Sequence, residues 1–148
     1  SIEQPIRAGQ YEEMASLSQR TPIPIALDEE LICINSLKEQ ARLLDEIKPH
    51  FIVLKPTLLG GFSRTQVLID LAKERSIRWW ITSALESNIG LNAISQWTAT
   101  LDNSAVQGLG NGLLFSNNFP SPLFIEGGRL RYGSVERIEK ISYYFLES

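Results

Sequence analysis

Apolar residues along the chain alternate between two spacings. Three short runs are apolar at almost every position: PIPIAL leading into DEE (22–30), FIVL leading into KP (51–56), and RWWITS (78–83). Such runs read as strands buried on both faces. Between them the apolar residues recur at helical intervals. In SLKEQARLLDEI (36–47), Leu37, Ala41, Leu44 and Ile47 share one face, and Ser36 with Glu39 forms a capping box at the start. SRTQVLIDLAKERS repeats the signature with Ser63 and Gln66, and is expected to bury Val67, Leu68, Leu71 and Ala72. NIGLNAISQWTATL (88–101) predicts a third helix with Ile89, Ala93, Ile94, Trp97 and Leu101 inward. VQGLGN (106–111) predicts a further short strand, and the opening SIEQP reads as the last residues of another.

Strands and helices alternating at a period of about 25–30 residues indicate βα units on a parallel sheet, an α/β class. After residue 112 the rhythm changes. FIEGGRLRY predicts a hairpin turning at Gly127–Gly128, and SVERIEKISYYFLE a last helix capped by Ser134. The expected organisation is therefore a run of βα units over 1–112 and a carboxyl-terminal tail over 113–148.

Composition narrows the function. With 148 residues, 43% hydrophobic and 21% charged, the chain supports one ordinary core. A net charge of -3 and no lysine or arginine cluster make nucleic acid and anionic membrane poor partners. No apolar run approaches the ~18–20 residues that cross a bilayer. Cys33 and His50 are single, which excludes an internal disulfide, a Cys/His zinc site and a Cys-His dyad at the usual spacing. A reducing, cytoplasmic setting fits.

In parallel βα folds, sites form at the carboxyl ends of the strands. Those ends here carry Glu3, Asp28, Lys55, Ser83 with Glu86, and the glycines from Gly108 through Gly110 to Gly112. Singly, each has a plain reading: a strand-end lysine snorkels to solvent, and a loop acid caps the next helix. Together, three charges from three consecutive strands converge on one rim. Two carboxylates on neighbouring strand ends suit a hard divalent cation, Mg²⁺ first. A lysine one strand further round would face the substrate, for proton transfer or for stabilising negative charge on a carboxylate. As a strand tip adds little to packing, loss of Lys55 is expected to cost turnover more than stability.

IEQP, ALDE and LKP, about one βα unit apart, resemble the fourth, fifth and sixth strand ends of the enolase-superfamily barrel. LKPTLLGGF followed by TSALESNIGLNAISQWTATL and GLGNGLLF resembles, within it, the o-succinylbenzoate synthases of menaquinone biosynthesis. The resemblance spans nearly the whole chain. It implies the carboxyl-terminal half of a (β/α)7β barrel, with strands four to eight in 1–112. It implies that Glu3 and Asp28 are two of three Mg²⁺ ligands, and that Lys55 lies across the substrate from the family's base. Ser83 and the GLGNG backbone (Gly108, Gly110) would lie near the substrate's carboxylates. The implied reaction removes water from 2-succinyl-6-hydroxy-2,4-cyclohexadiene-1-carboxylate to give 2-succinylbenzoate.

Two family features have no counterpart in this sequence: the paired lysines of the second strand, including the base, and the aspartate of the third. The chain is accordingly expected to be inactive alone, and to pair with another copy or with the missing amino-terminal half. An N-acylamino acid racemase or epimerase of the same superfamily remains an alternative, as does a non-catalytic half barrel. The dipeptide epimerases carry an Asp-x-Asp after the eighth strand, and GLGNG has none. GLGNG also lacks the spacing of a dinucleotide fingerprint and reads as a turn. Cys33 reads as a small packed residue, His50 as a surface-loop residue at a strand entry, and Trp79 and Trp80 as packing on opposite faces of a strand.

Overall fold

The computed structural model describes residues 1–32, 34–110 and 115–133. Cys33, Asn111, Gly112 and the helix expected from Ser134 lie outside the described residues. The chain divides into two compact units, one over Ser1–Thr82 and one from Ser83 onward.

The first unit holds a four-stranded parallel sheet in sequential order: β1 (Ile2–Glu3), β2 (Ile25–Leu27), β3 (Phe51–Leu54) and β4 (Arg78–Ile81). Ile2 pairs with Ile25, Ala26 with Phe51, and Phe51 with Arg78, so neighbouring strands finish at nearly the same level. Parallel neighbours need crossover connections, and helices supply them. They are α1 (Tyr11–Arg20), the single-turn α2 (Glu29–Ile32), α3 (Leu37–Ile47) and α4 (Phe62–Glu74). Ile25, Ala26 and Leu27 are all buried, as are Ile52, Val53 and Leu54, in keeping with strands covered on both faces. Trp79 is buried and Trp80 half-buried against Phe51, with ring centroids 5.5 Å apart.

The strands follow the apolar runs, but the helix faces are turned from those expected. α3 buries Gln40, Leu43, Leu44 and Ile47, leaving Leu37 exposed; α4 buries Thr65, Leu68, Ile69 and Ala72, leaving Val67 exposed. The reason is local hydrogen bonding. Gln40 Nε2 donates to the Ile34 carbonyl at 2.8 Å, and Thr65 Oγ1 to the Gly61 carbonyl at 2.9 Å. A buried donor that finds an acceptor in its own segment costs little, although Gln40 Oε1 is itself buried without a partner. The Ser36 cap forms as expected, its hydroxyl accepting from Glu39 N–H, whereas α4 begins at Phe62 with Gly61 before it and no side-chain cap. α1 carries few apolar residues, so the hydrophobic pattern does not predict it. It is anchored by fully buried Met14 and by Ser18 Oγ, which donates to the Lys48 carbonyl at 3.0 Å.

In the second unit, α5 (Asn88–Ala99) buries Leu91, Ile94, Ser95 and Thr98. Of the residues expected inward, Ile94 is buried and Ile89 is exposed. Both buried hydroxyls bond back one turn, Ser95 to Leu91 and Thr98 to Ile94. The hairpin forms where expected: β5 (Leu123–Glu126) pairs antiparallel with β6 (Arg129–Tyr132). Gly127 and Gly128 join them with φ +57 and +73, the left-handed pair that a two-residue type I′ turn requires. The strand expected over VQGLGN does not form among the described residues. Gly108 alone makes a bridge, and Val106 is 91% exposed; glycines at 108 and 110 weaken a strand here.

Candidate functional site

Glu3 ends β1, Asp28 follows the last residue of β2, and Lys55 follows the last residue of β3. As these strands are adjacent and parallel, the three side chains start from one edge of the sheet. Lys55 Nζ makes an ion pair with Asp28 Oδ2. Asp28 is almost wholly buried, its side chain 2% exposed, and Lys55 20%. The second carboxylate oxygen, Asp28 Oδ1, is buried without a hydrogen-bond partner. Glu3 is the exposed member of the three. Its carboxyl is nonetheless pushed above the usual carboxylate range, by burial first and then by the negative charge of Asp28, with Lys55 pulling the other way.

These observations test the fit of a cation. The negative charge of Asp28 works against ionisation of Glu3, and a buried oxygen of Asp28 lacks a donor. An oxygen-seeking divalent cation answers both, so Glu3 and Asp28 fit Mg²⁺ as ligands. Among the described residues no cluster of three Asp, Glu, His or Cys side chains is placed to hold a metal ion. Glu3 and Asp28 are the two residues that would hold such an ion.

Two further side chains brace this edge. Gln4, between Glu3 and Pro5, accepts through Oε1 from the backbone N–H of Asp28 at 3.1 Å and of Glu30 at 3.4 Å. Glu30, 3% exposed, accepts from Gly9 N–H through both carboxylate oxygens, at 2.8 and 3.1 Å. Burial pushes the Glu30 carboxyl up, and the Gly9 hydrogen bonds oppose that. Neither residue is singled out by sequence pattern. The one available signal is a glutamine set between a strand-end acid and a proline.

Ser83 and the glycines lie in the second unit. Ser83 is half-buried, and its N–H donates to the Gly108 carbonyl at 3.2 Å. Gly110 is exposed, and a Cβ added there would meet nothing within 4 Å. Glu86 folds back to accept from Ala84 N–H at 2.8 Å. The structure thus brings Glu3, Asp28 and Lys55 together in one unit, and Ser83 with Gly108 in the other. His50 sits at the entry of β3, exposed, with Nδ1 accepting from Ile25 N–H at 3.2 Å. That is the end of the strand away from Lys55. No helix among the described residues is long and apolar enough to cross a membrane.

Comparison with known proteins identifies the family and the fold. The chain is 55% identical over 130 residues to an o-succinylbenzoate synthase from Desulfotalea psychrophila, covering 88% of this chain and 35% of that protein. It is 34% identical over 115 residues to an o-succinylbenzoate synthase from Vibrio cholerae, covering 74% and 33%. The chain therefore spans about a third of the length of these curated relatives. The crystal structure of MenC from Desulfotalea psychrophila superposes with a TM-score of 0.85 at 55% identity, over 88% of this chain and 36% of that one. The muconate lactonizing enzyme from Pseudomonas putida shares the fold, with a TM-score of 0.73 at 24% identity over 95% and 41%. The sequence profile described as Enolase C-terminal domain-like matches residues 1–134, and the chain belongs to that family.

Proposed function

We propose that this chain carries the cation-binding and lysine face of an o-succinylbenzoate synthase. The reaction is the dehydration of 2-succinyl-6-hydroxy-2,4-cyclohexadiene-1-carboxylate to 2-succinylbenzoate. The observation that carries this reading is the meeting of Glu3, Asp28 and Lys55 on three neighbouring strand ends. The identity to the Desulfotalea protein narrows it from the superfamily to this reaction. On this reading the sheet is an arc of a barrel whose mouth is the Lys55 edge, and the substrate is a small carboxylate of the cytoplasm.

Glu3 and Asp28 hold Mg²⁺. When bound, it supplies a Lewis acid that stabilises negative charge on a substrate carboxylate. Lys55, oriented by Asp28, presents a second positive charge to the same substrate group, and such fixed charges act most strongly in the transition state. Asp28, its Oδ2 paired with Lys55, would thereby serve both the lysine and the ion. The resemblance gives Ser83 and the Gly108–Gly110 backbone, by themselves, a part in holding a substrate carboxylate. The resemblance assigns proton removal to a lysine with no counterpart among residues 1–148, so binding and charge stabilisation are the share of the work given to this chain.

The test is titration of the chain with 2-succinylbenzoate by calorimetry, with and without Mg²⁺. Binding is expected to require Mg²⁺ and to weaken at least about tenfold in Lys55→Met, the loss of one charge-assisted contact. Binding that ignores Mg²⁺, or that is unchanged in both Lys55→Met and Glu3→Gln, would overturn the reading. Assayed alone, residues 1–148 are expected not to turn over the dehydration substrate.

A further inference from the structure

The β1–β2 ladder ends in an unusual rung. Ile2 N–H donates to the Pro24 carbonyl and Gln4 N–H to the Ala26 carbonyl, both at 2.9 Å. In a regular parallel ladder the next bond would run from Asp28 N–H to the backbone carbonyl of Gln4. Here the chain turns at Gln4, whose φ is +38, and Asp28 N–H donates to the Gln4 side-chain oxygen instead. The same oxygen takes Glu30 N–H, while Gln4 Nε2 donates to the Ile6 carbonyl at 3.0 Å. One side-chain amide therefore extends the ladder by a rung, caps the turn that opens α2, and fixes the loop leaving β1.

That rung lies at the root of Asp28. The backbone of Asp28 is held one position past the end of β2, and its carboxylate leaves from that point toward Lys55 and Glu3. Glu3 immediately precedes Gln4 in the chain, so one residue sets the spacing of both acids. A glycine would make the same left-handed turn at lower backbone cost, but it has no oxygen to give. We infer that Gln4 is a positioning residue: its amide oxygen sets the Asp28 carboxylate against Glu3 for cation binding. This rests on the cation site proposed above.

The test uses Mn²⁺ as a spectroscopic stand-in for Mg²⁺, with affinity read by electron paramagnetic resonance and stability read as Tm, on the full chain. Gln4→Met keeps the length of the side chain and removes its acceptor. Gln4→Gly also removes the acceptor but relieves the backbone, and serves if the methionine variant fails to fold. Met14→Ala is the control, since Met14 is fully buried in α1 and outside the rung. Mn²⁺ affinity is expected to fall about 10–100-fold in both Gln4 variants, the usual effect of losing a partner behind a ligand. Met14→Ala should lower Tm and leave affinity unchanged. If wild type binds and the Gln4 variants bind equally well, the inference fails and the cation site stands. An affinity loss in Met14→Ala as large as in the Gln4 variants would reduce Gln4 to a structural part and also overturn it. If wild type binds no Mn²⁺, the cation site fails and the inference with it.

Discussion

Replacing Lys55 with methionine keeps much of the side chain's bulk and removes its charge from Asp28. Asp28 is 2% exposed, and its other oxygen has no partner, so the variant leaves a buried carboxylate without compensation. Two unit charges about 4 Å apart attract by roughly 4 kcal/mol at an effective dielectric of ~20. Breaking a buried pair by removing one member costs about 3–5 kcal/mol. Lys55 is 20% exposed, which puts the expected loss near the lower end, about 3 kcal/mol. For a chain of this size that lowers Tm by roughly 6–12 °C.

Mg²⁺ should then recover part of the loss, since a ligand at a hundred times its Kd adds about 2.7 kcal/mol. The assay is thermal unfolding of wild type, Lys55→Met and Lys55→Met/Asp28→Asn, each with and without Mg²⁺. The double variant removes the stranded charge, so it should be more stable than Lys55→Met. A Lys55→Met chain melting with wild type, or a double variant less stable than the single one, would refute the reasoning. The sequence pointed to turnover as the main loss at Lys55; the ion pair with buried Asp28 makes stability a second one.

Leu68 is fully buried in α4, and Leu68→Ala should cost about 2–5 kcal/mol in urea unfolding; a cost under about 1 kcal/mol would mean the site collapses around the truncation. Asp45 takes hydrogen bonds from Arg75 Nε at 2.7 Å and Nη2 at 3.1 Å, and this hydrogen bonding holds its carboxyl below the usual range. A depressed folded-state pKa gives stability that is present above the unfolded value and lost as pH falls through the folded one. Asp45→Asn should therefore be less stable than wild type at neutral pH, with the gap closing in acid; a gap that widens in acid would contradict the pairing. Gly128→Val places a branched residue at φ +73 in open space, so its cost is backbone strain alone, about 1–2 kcal/mol. Amide exchange should quicken across β5 and β6 and stay unchanged in β1–β4.

The strands and the strand-end charges were legible because a run that is apolar on both faces has one structural meaning and a charge closing it has few. Glu3, Asp28 and Lys55 needed only that much. The helix faces were less legible. Counting apolar residues favoured Leu37, Val67 and Ile89, all of which are exposed. The chain buries Gln40, Thr65, Ser95 and Thr98 instead. Each of these finds an acceptor within its own segment, a fact that polarity scales do not contain. Gln4 was hidden for a related reason, since its role depends on a left-handed turn before proline. Such a turn runs against the usual preference of that position.

Those inward hydroxyls have an evolutionary consequence. Because Thr65, Ser95 and Thr98 spend their donors on their own helices, none of them demands a matching acceptor on a neighbouring element. What remains between helix and neighbour is shape and apolar contact, which many residue combinations satisfy. A helix of this kind can drift by compensated volume changes while the strand ends keep their charges. The protein can thus exchange residues on its inward helix faces at a fixed backbone, without rebuilding hydrogen bonds to a neighbouring element.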